Sequence, residues 1–217
     1  FVRRRQRQMC IRDRPGMMDS VLNIGLNDSN VFQLAEAFND ERFALDSYRR
    51  LIQMYSNVVL GVEHERFEAV IANKKRMDNV VSDADFNVDQ LNWIINAYKN
   101  TVERFTDSLF PQEPYEQLTG AIEAVFNSWQ NKRAVIYRKI NNIPDSWGTG
   151  ATIQTMVFGN LNDKSGTGVA FTRNPSNGDR ELYGEYLINA QGEDVVAGIR
   201  TPHPIRQHSK IEQESLE

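Results

Sequence analysis

From Val31 onward the apolar positions fall at spacings of three and four. Phe43, Ala44, Tyr48, Leu51, Ile52, Tyr55, Val58 and Val59 share one face at the helical period, which predicts a helix with one buried side. Phe67, Val70 and Ile71 predict a shorter helix. Val88, Leu91, Ile94, Ile95, Tyr98, Val102 and Phe105 predict a long one, with Asn87 placed to cap it. Residues 31–109 therefore read as a helical unit. Residues 15–30, "PGMMDSVLNIGLNDSN", are rich in turn formers and read as a loop or short extended segment. Two prolines in "FPQEP" break the pattern at Phe110–Pro114. A helix with Leu118, Ile122, Val125, Phe126 and Trp129 on one face follows, and it restarts or continues through Ala134–Ile140.

After Gly150 the pattern changes. "ATIQTMVFGN", "TGVAFT", "RELYGEYLINA" and "DVVAGI" are short apolar runs separated by Gly, Asn and Pro, the pattern of four strands. Helices first and strands afterwards indicate an α+β fold rather than a βαβ repeat.

Composition changes this picture little. Of 217 residues, 40% are hydrophobic and 25% charged, an ordinary globular balance. No apolar run approaches the ~20 residues of a membrane span. One cysteine, Cys10, leaves no internal disulfide framework. The net charge of −4 argues against a general nucleic-acid binder. Charge is uneven, however. Residues 1–14 hold six of the 25 basic residues and one of the 29 acids, so the remainder carries 19 against 28, a net −9. The arginine-rich string can be read as an arm for nucleic acid or anionic lipid, as a disordered tail, or as translated sequencing-adaptor sequence. The third reading makes it a non-native tail, and Cys10 goes with it.

Three stretches carry candidate chemistry. In "KSGTGVAFTRNPSNGD" Lys164 precedes the glycines and strands flank them, the wrong order and context for a Walker loop. Gly166 and Gly168 can let backbone N–H groups approach an anion, with Ser165 and Thr167 as further donors, or they can serve a plain hairpin. "IQTMVFGN" reads as a buried strand with Gln154, Thr155 and Asn160 as its polar members. The edge of such a strand can hydrogen-bond a purine while Met156 and Val157 supply apolar contact, or it can be an ordinary core strand. In "GEYLINAQGED", Glu185, Glu193 and Asp194 can reach ribose hydroxyls or a metal, or can simply be solvated. His64, His203 and His208 have no metal spacing and no acid partner, so they read as structural or exposed. No Ser–His–Asp or Cys–His arrangement can be drawn.

Together "PGMMDSVLNIGLND", "DSYRRLIQMYSNVV", "FPQEPYEQLTGAIEAVFNSW", "RAVIYRKINNIPDSWGTGATIQTMVFGN" and "SGTGVAFTRNPSNGDRELYGEYLINAQGEDVVAGIRTP" resemble the nucleotide-binding domain of the pyruvate, phosphate dikinase family, from about Pro15 to about Pro204, fading after Ile205. The resemblance implies a partial ATP-grasp fold with a helical insertion. Residues 15–30 and 110–153 would belong to its first subdomain, 31–109 would be the insertion, and 154–217 a truncated β-rich ATP-binding subdomain. It implies ATP as substrate, Mg²⁺, and transfer of a pyrophosphoryl group to a histidine on a swivelling domain. From there the group serves a (β/α)₈ barrel that handles pyruvate and phosphoenolpyruvate, in a cytoplasmic, homodimeric parent.

By the same resemblance Gln154, Thr155, Met156 and Val157 would hold adenine. Ser165, Gly166, Thr167 and Gly168 would cover the phosphates, Glu193 would face the ribose or phosphate side, and Arg173 is a phosphate contact or a structural ion pair. The role of Glu185 is less defined. The lysine and arginine segments upstream, the acidic pair and glutamine that hold Mg²⁺, the histidine domain and the barrel have no counterpart here, so the chain is expected to be an internal fragment without turnover. Two alternatives remain: a phosphoenolpyruvate synthase-like enzyme, and a non-catalytic helical binding module. Phosphate dependence of a full-length enzyme decides the first, and a Trp147 fluorescence response to ATP analogues the second.

Overall fold

The computed structural model describes residues 20–196 and 201–205. The arginine-rich 1–14 string and His208 lie outside that range. The chain divides into two compact units, 1–154 and 155–217.

In the first unit, α1 (Val31–Phe38), α2 (Glu41–Val58), α3 (His64–Asp78), α4 (Val88–Thr106), α5 (Pro114–Ser128) and α6 (Lys132–Ile140) follow one another. Two starts are written locally. The Asp40 carboxylate accepts from Phe43 N–H at α2. Asn87 and Gln90 form a reciprocal capping box at α4, as the sequence pattern requires. The core lies where α2 crosses α1 and α4, with Tyr48, Leu51, Ile52, Tyr55, Leu91 and Tyr98 fully buried. Phe105, expected on the buried face of α4, is instead exposed, with the Arg66 guanidinium 3.8 Å above its ring.

A charged network is buried in that core. Asp46 accepts from Arg49 at 2.8 Å and from Arg50 at 3.0 Å. Arg49 also reaches Gln53 at 3.2 Å, and Gln53 in turn accepts from the Tyr98 hydroxyl at 3.2 Å. Burial alone would raise the Asp46 carboxyl, but the two guanidinium groups overcome it and hold the group down at about 2.

α5 departs from its predicted face. Its buried positions are Gln117, Ala121 and Ser128; of the predicted face, Trp129 just past the helix is buried, Leu118, Ile122 and Val125 are half-buried, and Phe126 is 48% exposed. Two close approaches explain this. Gly120 sits against the Tyr55 hydroxyl, where a side chain would collide. Gln117, 0% exposed, accepts from Gly25 N–H at 2.8 Å and donates to the carbonyls of Leu26 at 3.0 Å and Pro111 at 2.8 Å. Every hydrogen-bonding demand of the buried amide is met by backbone, so burial costs it little. Gln117→Leu strips partners from three backbone groups at once and is expected to lower stability by about 2 kcal/mol in urea unfolding. The last turn of α6 carries Arg138, which is buried over the Trp129 ring, donates to the Trp129 carbonyl and holds Asp145 at 2.7 Å.

The second unit is a small antiparallel sheet in the order β1-β2-β3, with β1 Gly166–Phe171, β2 Tyr183–Ile188 and β3 His203–Pro204. Gly166 faces Ile188 and Phe171 faces Tyr183 across the first pair. Two of the four predicted strands therefore form, "TGVAFT" and "RELYGEYLINA". Among the described residues the other two do not. Residues 151–158 are irregular and open, with Val157 89% exposed. A strand exists only where a ladder partner satisfies its backbone, and no described strand pairs with this one. The start of "DVVAGI" lies in a short helix, α7 (Gly192–Val196), and residues 197–200 lie outside the described range. Here a local bond wins over β-branched pattern: the Asp194 carboxylate accepts from Gln191 N–H at 2.8 Å, and Asp194 N–H donates to the Gln191 carbonyl at 3.0 Å. The α+β arrangement holds. Among the described residues no helix is long and apolar enough to cross a membrane.

Candidate functional site

Gly159 is where the three chemical stretches of the sequence meet. A Cβ on this residue would stand 2.5 Å from the Ala190 carbonyl oxygen and 2.7 Å from that of Gly166. Both obstacles are backbone, so only glycine allows the approach. One position thus brings together the end of "IQTMVFGN", the start of the glycine-rich strand and the segment after β2.

Hydrogen bonds hold the junction. Ala190 N–H donates to the Gly159 carbonyl at 3.0 Å, and Asn189 N–H to that of Ser165 at 2.8 Å. The Asn189 amide reaches Asp163 at 3.2 Å, and the Gln191 amide reaches Asn160 at 3.1 Å.

The predicted site residues divide around this junction. Thr155, Met156 and Val157 lie four to two residues before Gly159 in an irregular, largely exposed stretch, with Gln154 immediately ahead of them. Among the described residues the backbone of 154–157 makes no hydrogen bond. Gly166, Thr167 and Gly168, expected to cover the phosphates, form the first half of β1, where Thr167 and Gly168 belong to the predicted "TGVAFT" strand. There the glycines serve the strand pair: a Cβ on Gly166 would meet the Leu187 carbonyl at 2.9 Å, and one on Gly168 that of Glu185 at 2.7 Å. The turn lies one step earlier. Asn162 accepts from Lys164 N–H at 2.9 Å and from the Ser165 hydroxyl at 3.2 Å.

Arg173 is turned into its own loop, donating to the Gly178 carbonyl at 3.1 Å. Asn174 stabilises the same loop by reaching Glu181 at 3.1 Å. Glu185 is exposed on β2. The Glu193 backbone is in α7, and its side chain lies outside the described residues.

His64 is exposed, 3.4 Å from Glu68, and His203 is in β3. Among the described residues no three His, Cys, Asp or Glu side chains gather to hold a cation. The Mg²⁺ that the resemblance implies therefore finds no ligand set in these residues. The arrangement can bind and orient a ligand along exposed backbone.

Asn160, Asn189 and Gln191 act at this junction, and none was a predicted binding residue. Their one sequence signal is that each is an amide residue closing or following an apolar run.

The chain matches the family model described as "Pyruvate phosphate dikinase, AMP/ATP-binding domain" over residues 12–216. The match thus continues past Ile205, where the sequence resemblance was expected to fade. Pyruvate, phosphate dikinase of Rhizobium meliloti (strain 1021) is 54% identical over 197 residues, covering 91% of this chain and 22% of the relative. That of Clostridium symbiosum is 55% identical over 194 residues, covering 89% and 22%. The chloroplastic enzyme of Mesembryanthemum crystallinum is 52% identical over 191 residues, covering 88% and 20%. The chain spans about a fifth of the length of these relatives. With the matched region running nearly end to end, this chain belongs to the pyruvate phosphate dikinase AMP/ATP-binding domain family.

Proposed function

We propose that residues 154–157 hold the adenine of ATP and that the chain is the nucleotide-holding part of a pyruvate, phosphate dikinase with an ATP-grasp fold. The observation that carries this reading is the convergence at Gly159, which ties the 154–157 stretch to β1 and to the segment leading into Glu193. Backbone N–H and C=O groups that pair with no described residue, on a largely exposed stretch, are the groups a purine edge hydrogen-bonds, and Met156 and Val157 add apolar contact to its faces.

β1 is an edge strand in the order β1-β2-β3. Half of an edge strand's N–H groups point away from the sheet, so Ser165–Gly168 can present backbone donors to phosphate. Glu193 would then face the ribose or phosphate side. The Arg173 guanidinium and the Ser165 hydroxyl already serve their own turns, and phosphate contact requires each to exchange that bond for another.

By the resemblance, the whole protein would transfer a pyrophosphoryl group from ATP and interconvert ATP, pyruvate and phosphate with AMP, phosphoenolpyruvate and diphosphate. The phosphohistidine domain, the barrel, the Mg²⁺ requirement and a homodimeric, cytoplasmic enzyme belong to that reading and rest on the resemblance. Phosphoryl transfer depends on positioning and charge neutralisation, and residues 154–168 themselves carry one cation, Lys164. ATP is accordingly expected to bind with Kd of about 1 mM, some −4 kcal/mol, and the chain to make no AMP from ATP, pyruvate and phosphate. Ligand-observed NMR with ATP and an AMP assay check both. A chain that binds no ATP overturns the reading, and AMP formation overturns the limit to binding.

A further inference from the structure

Gln191 is 4% exposed, and its Oε1 has no hydrogen-bond partner among the described residues. A buried amide with one end unsatisfied is costlier than a methionine of similar shape. Its presence asks for a task that an apolar side chain cannot perform. Among the described residues its side chain makes one bond, from Nε2 to Asn160 Oδ1 at 3.1 Å, across 31 residues of sequence.

Asn160 lies three residues beyond Val157, so chain reach alone keeps it within about 10 Å of the proposed adenine contact. At its other end Gln191 is fixed by backbone. Its N–H donates to Asp194 at 2.8 Å, and the preceding Ala190 N–H donates to the Gly159 carbonyl at 3.0 Å. The amide therefore joins a held point to Asn160, three residues after the 154–157 stretch.

We propose that Gln191 and Asn160 are a positioning pair, which holds the 154–157 stretch at a set distance from β1 and so sets nucleotide affinity. The proposal rests on the adenine reading above. A binding stretch with no ladder of its own must be ordered at some point, and ordering it before the ligand arrives removes that cost from binding.

The test measures ATP affinity by ligand-observed NMR and amide hydrogen exchange without ligand, in the parent chain and in Asn160→Ala, Gln191→Met and Asn160→Asp. The Asn160→Asp change keeps a side-chain oxygen that can accept from Gln191 Nε2. Asn160→Ala and Gln191→Met are expected to weaken ATP binding about tenfold and to speed exchange at 155–158. Amides of the β1–β2 ladder should stay protected, and Asn160→Asp should bind within about twofold of the parent. Unchanged affinity in Asn160→Ala overturns the pair and leaves the adenine reading intact. Loss of β1–β2 protection, or an Asn160→Asp variant as weak as Asn160→Ala, makes the bond merely structural and also overturns it. A parent chain that binds no ATP overturns both.

Discussion

Replacing Asp46 with alanine will cost the helical unit about 3–5 kcal/mol, because it leaves a buried guanidinium without its nearest counter-charge, the Asp83 carboxylate being more distant and more exposed. Arg49 is 3% exposed and depends on Asp46 at 2.8 Å, with Gln53 at 3.2 Å as a neutral second partner and Asp83 at 3.8 Å. Removing both charges is milder than removing one. Asp46→Leu with Arg49→Met should be less destabilised than Asp46→Ala alone, since the uncompensated ion is gone. Urea unfolding followed by far-UV circular dichroism reads both variants, and a loss below about 1 kcal/mol in Asp46→Ala would mean that solvent reaches the site.

The same pair predicts an acid response. Burial by itself would raise the Asp46 carboxyl; Arg49 and Arg50 hold it at about 2, below its ordinary 3.8. A depressed folded-state value means stabilisation that is complete above the unfolded value and is lost as pH falls from about 3.8 through about 2. The shift corresponds to about 2 kcal/mol. Asp46→Ala should therefore lose less stability than the parent chain over that window.

Gly159→Val is expected to abolish the junction in the second unit. The new Cβ would stand 2.5 Å and 2.7 Å from two backbone oxygens, neither the tip of a flexible side chain. The 159 segment must then move away from Ala190 and Gly166, breaking the Ala190-to-Gly159 hydrogen bond. Overpacking of this kind costs about 1–3 kcal/mol. The larger effect is on the ligand: the adenine stretch loses its attachment to β1, and ATP affinity should fall by more than tenfold. Gly150→Ala is the control, because a Cβ there meets nothing within 4 Å. Equal loss in both variants would show that glycine content, rather than the junction, is responsible.

How much was legible in the sequence follows from the range of the interactions. α2 and α4 could be read because their period and their caps are local, Asn87 lying beside the Gln90 that answers it. The buried face of α5 could not, because Gln117 is chosen by carbonyls and an N–H as far as 92 residues away. The 151–158 strand was misread for a related reason. Apolar composition predicts burial, but a strand forms only beside another strand, and the described residues offer none. "DVVAGI" failed the opposite way, through a short-range carboxylate cap at Asp194 that outweighs β-branched pattern. For the candidate site, the three stretches were legible singly. Their meeting at Gly159 was not, because it joins residues seven and 31 apart through backbone contacts that no spacing rule encodes.

Amide hydrogen exchange with and without ATP, resolved by residue, tests the central claim most directly. The account predicts that ATP slows exchange at 154–157 and at 165–168 while α2 and α4 are unaffected. Protection confined to the helical unit, or none at 154–157 under conditions where ATP is bound, would contradict it.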